Sequence, residues 1–91
     1  MEETDELIKS KILRVLAKKN KWLHSHTSVT NIIRWIYVKR NGKRVKKIIK
    51  ELRRKNLIIL KPTHYGLEVS LNPKQKEIIL KKIKKFFETE Y

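Results

Sequence analysis

Residues 43–60 read KRVKKIIKELRRKNLIIL, and the two halves of that stretch follow different periods. Val45, Ile48, Ile49 and Leu52 fall at i, i+3, i+4 and i+7, a single apolar stripe on a helix. The spacing predicts a helix over residues 43–55, with Asn56 placed where its C-terminus wants a left-handed residue. Leu57, Ile58, Ile59 and Leu60 are short-range, branched and apolar in the manner of a strand. At 100° per residue, Lys43, Lys46, Lys47, Lys50 and Arg54 project opposite the apolar stripe. Arg44, Arg53 and Lys55 bring the basic residues to eight in thirteen, with Glu51 the single acid. Like charges at i,i+3 and i,i+4 repel, so this helix calls for an anionic partner.

Downstream, Leu67-Glu68-Val69-Ser70-Leu71 alternates strictly and residues 62–66 read as a turn, so residues 57–71 are expected to form a β-hairpin. Asn72 before Pro73 matches a cap and first helical residue. Ile78, Ile79, Leu80, Ile83, Phe86 and Phe87 then give a last helix over residues 73–89. Upstream, Thr4 caps a helix over residues 5–19 whose first turn holds Asp5 and Glu6 and whose apolar positions include Ile8, Ile12, Val15 and Leu16. A polar loop leads to a stub strand at residues 28–29. Thr30 is read as the cap of a short helix over residues 31–37, built on Ile32, Ile33 and Ile36 with Trp35 at its flank. The fold class is mainly α with a small β-hairpin, in one domain of 91 residues.

The chain carries 24 Lys and Arg against nine Asp and Glu, a formal net charge of +15. Four of the acids lie in the first six residues and two at Glu88 and Glu90, so residues 7–87 hold every basic residue against three acids. Lys-rich composition from heat adaptation comes with matching Glu, which is missing here. The balance points to a polyanion, nucleic acid above all. There is no cysteine, which excludes disulfides and thiolate metal sites. No apolar run approaches membrane-spanning length, and the acidic opening lacks signal-peptide character, so a cytoplasmic, nucleoid-associated protein is expected. His24, His26 and His64 lack the carboxylates or spacing of a recognised metal site, and no arrangement suggests catalysis. Neither a metal, a cofactor nor an enzymatic activity is expected.

Taken in order, the short helix opened by Val29-Thr30-Asn31-Ile32-Ile33, the basic helix closed by Leu52-Arg53-Arg54-Lys55-Asn56-Leu57-Ile58, and the hairpin that follows resemble the winged helix-turn-helix domain of archaeal and bacterial transcription regulators. The likeness covers about residues 7–71. It implies a recognition helix carrying Lys43, Arg44, Lys46, Lys47, Lys50 and Arg54 in the major groove of double-stranded DNA. It also implies backbone contacts from Arg34, Lys39 and Arg40, and a wing touching DNA through Lys61, Thr63, His64 and Tyr65. The family often has Gly where Asn56 stands, but Asn tolerates the same turn. Broad apolar surfaces on the first and last helices suggest a homodimer through Leu7, Ile8, Ile79, Ile83, Phe86 and Phe87. Three functions stay open: a sequence-specific transcription regulator, a nonspecific architectural or replication-associated DNA binder, and an RNA-binding or protein-interaction winged helix.

Overall fold

The computed structural model describes residues 3–36 and 42–87. Four helices and a three-stranded antiparallel sheet follow in the order α1 (Asp5–Lys18), β1 (Thr27–Ser28), α2 (Val29–Ile36), α3 (Gly42–Arg54), β2 (Ile58–Thr63), β3 (Gly66–Leu71) and α4 (Lys76–Phe86). A 3-10 turn over Pro73–Gln75 leads into α4.

Helix ends are set by local chemistry. The Thr4 side chain accepts from the Leu7 amide and opens α1. At the other end Asn20 takes φ 54°, while the Asn20 and Lys21 amides donate back to the Ala17 and Leu16 carbonyls. The same device closes α3. Asn56 stands at φ 62°, and the Asn56 and Leu57 amides reach the Arg53 and Leu52 carbonyls at 2.9 and 3.0 Å. This paired back-bonding caps the last carbonyls of a helix and brings the residue beyond it onto the core; Leu57 and Leu52 are accordingly both buried. Asn72 accepts from the Lys74 amide, but it opens the 3-10 turn rather than the last helix, which starts at Lys76 and not at residue 73.

Several boundaries differ from the sequence expectation, most by one residue. The short helix begins at Val29 rather than Asn31, because the Ser28 hydroxyl, not Thr30, accepts the Asn31 amide at 3.1 Å. Thr27, expected in the loop, is a strand residue opposite Val69, and its hydroxyl accepts from the Asn31 side chain. The last helix stops at Phe86, with Phe87 extended beyond it.

β3 is the central strand, paired with β1 on one side and β2 on the other. The register Ile58↔Leu71 to Thr63↔Gly66 leaves a two-residue tip at His64 and Tyr65. Pro62, expected in the turn, lies in β2, where an edge strand tolerates its missing N–H. Gly66 takes the positive φ that lets the chain reverse. The loop after α1 is laced to the far end of β3 through Leu71 N–H to the Lys21 carbonyl and Leu23 N–H to the Leu71 carbonyl.

The core is almost wholly aliphatic: Ile8, Ile12, Leu13 and Leu16 of α1, Ile32 of α2, Val45, Ile48, Ile49 and Leu52 of α3, Val69 and Leu71 of β3, and Ile79 and Ile83 of α4. α1 is central, packing on α2, α3, α4 and β3. The residues expected at a homodimer interface are placed as follows within this one chain. Ile8, Ile79 and Ile83 are at most 1% exposed within the chain's own core, because α4 folds back along α1 and the Ser10 hydroxyl donates to the Lys82 carbonyl. Phe87 is half-buried with the Arg14 guanidinium 4.6 Å above its ring. Of the six residues named for an interface, Leu7 is half-buried and only Phe86 counts as exposed.

Candidate nucleic-acid interface

The apolar stripe of α3 faces the core and turns Lys43, Lys46, Lys47, Lys50 and Arg54 to the exposed side. Arg53 and Lys55 are exposed with them. Among the described residues no ion pair joins any of these seven to a carboxylate. Seven uncompensated cations on 13 residues of helix and its cap create a local potential that attracts polyanions.

Arg44 stands apart from them. It lies toward α1, where its Nε and Nη2 bond the Asp5 carboxylate at 2.9 and 2.7 Å and Nη2 also meets the Glu3 carbonyl at 2.7 Å. Glu51 is on the same flank, one side of a carboxylate pair around the largely buried Lys9 ammonium, 3.5 Å from Glu51 and 3.3 Å from Glu6. Lys11 pairs with Glu3. The acidic start of the chain thus forms a seam along the α1–α3 boundary, and Arg44, expected at the major groove, is a tie between the two helices. Composition showed the acids at the chain start but not what they would face, which depends on how α1 crosses α3.

The seam has a pH signature. The hydrogen bond from Lys9 holds the Glu6 carboxyl below its ordinary range, helped by the positive charges of Lys9, Lys82 and Lys85. Burial disfavours the Lys9 charge, but the bond to Glu6 and the charge of Glu51 outweigh it and raise its pKa. A carboxyl lowered by folding stabilises above its unfolded pKa and loses that contribution as pH falls through the folded one. The Glu6 side chain is half exposed, so solvent screening keeps the gain small. Glu6→Gln is expected to lower stability at pH 7 by about 0.2–1 kcal/mol. In urea titrations that difference should vanish as pH drops below the carboxylate range.

On the other flank, Lys46 and Lys50 overlook a groove of about 340 Å³ between α3, the start of α2 and the hairpin. Ile49 and Leu60 line its apolar part, Thr30 and Tyr65 its rim, and no carboxylate borders it. At the hairpin, Lys61 and His64 are exposed and Tyr65 is 97% exposed at the tip. Thr63 is partly buried, and its hydroxyl is engaged within the turn, donating to the Gly66 carbonyl and accepting from the Tyr65 amide. Thr63 therefore shapes the tip rather than presenting a free hydroxyl. Arg34 is exposed on α2. Lys39 and Arg40 lie outside the described residues.

The structure brings α3, the start of α2 and the hairpin tip around one basic groove. Sequence reasoning missed Thr30 at its border, reading it only as a helix cap. Among the described residues no group of three His, Asp or Glu converges as a metal site, and no helix is long and apolar enough to cross a membrane. Comparison with family models, with curated proteins and with solved structures returns no match for this chain.

Proposed function

We propose that this protein binds duplex DNA as a winged helix-turn-helix module, with α3 in the major groove, α2 across the backbone and the β2–β3 hairpin as the wing. One observation carries the reading: the exposed face of α3 is a run of cations that no described carboxylate pairs with, set beside a hairpin that ends in Tyr65. The element order helix, strand, helix, helix, hairpin and the central place of β3 agree with it. An α-helix of this width enters the major groove of B-form DNA, where lysines on its sides reach phosphates. Such a protein works on the nucleoid, as a transcription regulator if it reads sequence.

A second reading has its own support. Base discrimination relies on planar, bidentate groups such as arginine or an amide side chain, whereas lysine acts as a point charge. The arginine of the first turn, Arg44, is bonded to Asp5, and the free face of α3 is dominated by lysine. This arrangement favours a nonspecific architectural binder over a regulator. Selection of bound duplexes from a random pool decides between them. A recovered motif identifies a regulator, and a symmetric one would also restore a two-fold assembly. Binding without enrichment, with a steep dependence on salt, identifies an architectural protein. Equal or tighter binding to duplex RNA or single strands would overturn both readings.

A further inference from the structure

α4 has its own basic face. Its buried residues Ile79 and Ile83 pack on α1, and the opposite side carries Lys81, Lys84 and Lys85, all exposed. Lys74 and Lys76, also exposed, extend the run to the start of the helix. Glu77 is the one acid between Asn72 and Phe87, and among the described residues no ion pair engages any of these five lysines. Lys81 stands at i,i+3 to Lys84 and i,i+4 to Lys85, spacings at which like charges destabilise a helix by about 0.2–0.5 kcal/mol per pair. Among the described residues no salt bridge offsets that repulsion.

This face is separate from that of α3. The two helices both pack on α1, which lies between them, and do not pack on each other. The first turn of α1 is acidic, with Asp5 bonded to Arg44 of α3 and Glu6 close enough to Lys82 and Lys85 of α4 for their charges to lower its pKa. With α1 between the two helices, a duplex seated along α3 is not placed to lie along α4 as well. The two faces therefore suit two separate segments of DNA.

We propose that α4 is a second duplex-binding surface and that one copy of the protein joins two DNA duplexes, α3 on one and the Lys74, Lys81, Lys84 and Lys85 face on the other. The inference rests on the DNA-binding reading of α3 but is read by a different measurement. A biotinylated duplex on beads is incubated with protein at about 0.15 M salt, where the screening length is about 8 Å and each face acts largely on its own ligand. A second, fluorescent duplex is then offered for capture.

The native chain is expected to capture the fluorescent duplex. Substitution Lys81→Gln, Lys84→Gln, Lys85→Gln should reduce capture at least tenfold while changing affinity for a single 16-base-pair duplex by less than about threefold. An unchanged melting curve for this variant excludes misfolding. Unimpaired capture by the variant overturns the proposal. So does sedimentation of the bridged complex with two protein copies, which would assign joining to self-association. Substituting Lys46, Lys47 and Lys50 instead tests the α3 reading: undiminished affinity for the short duplex would sink that reading whatever the capture result.

Discussion

Replacing Lys46, Lys47 and Lys50 together by alanine is expected to weaken binding to a short duplex by about 10²-fold at 0.15 M salt and to flatten its salt dependence. Each lysine that neutralises a phosphate releases condensed counterions and contributes about 0.9 to the slope of log K against log salt. Losing three contacts should therefore reduce the slope by about 2.7, and at 0.15 M the same release accounts for about a fivefold loss of affinity per contact. Fold stability should not fall, because all three side chains are exposed and alanine is the better helix former. The substitution also removes the like-charge pairs Lys43–Lys46, Lys43–Lys47, Lys46–Lys50, Lys47–Lys50, Lys50–Arg53 and Lys50–Arg54. A stable variant with weak, salt-insensitive binding is the signature of a working phosphate surface. An unchanged slope measured by fluorescence anisotropy would mean that these lysines face solvent in the complex and that the α3 reading is wrong. Arg44→Ala makes a contrast: its guanidinium is occupied by Asp5 and Glu3, so it should leave the slope nearly unchanged.

The contrast between Lys46 and Arg44 marks what was legible in the sequence. Period and capping are local properties, so the stripe from Val45 to Leu52 and the left-handed turn at Asn56 could be read directly, as could the caps at Thr4 and Asn72. Where two neighbouring hydroxyls competed, at Ser28 and Thr30, the choice depended on β1 pairing with β3, a contact some 40 residues away that fixes where the chain leaves the sheet. Pro62 was misplaced for a related reason, since only the strand order shows that β2 is an edge. The basic face of α3 was visible as composition, but its division was not: Arg44 and Glu51 turn to α1 while Lys46 turns to the hairpin. The apolar breadth of the first and last helices was real, but sequence alone could not show whether they met each other within a chain or across two. In this fold they meet within the chain, which leaves the basic face of α4 outward.

That internal pairing sets up the second large effect. Ile79 is fully buried and packs in the core beneath α1, so Ile79→Ala removes three carbons from a site whose helices can close the gap only in part. Such truncations cost about 2–5 kcal/mol. A domain of this size is stabilised by about 5–15 kcal/mol in all. With about 4–8 °C lost per kcal/mol in small domains, the melting temperature should drop by about 10–30 °C. Concentration dependence separates the two places Ile79 could occupy. In a single-chain core the midpoint of the variant, like that of the native chain, is independent of protein concentration, and sedimentation returns the same mass for both. At a subunit interface the native midpoint would rise with concentration by mass action, and the variant would dissociate to a folded monomer instead of losing its fold. Dissociation of that kind would place α4 between chains, in a homodimer.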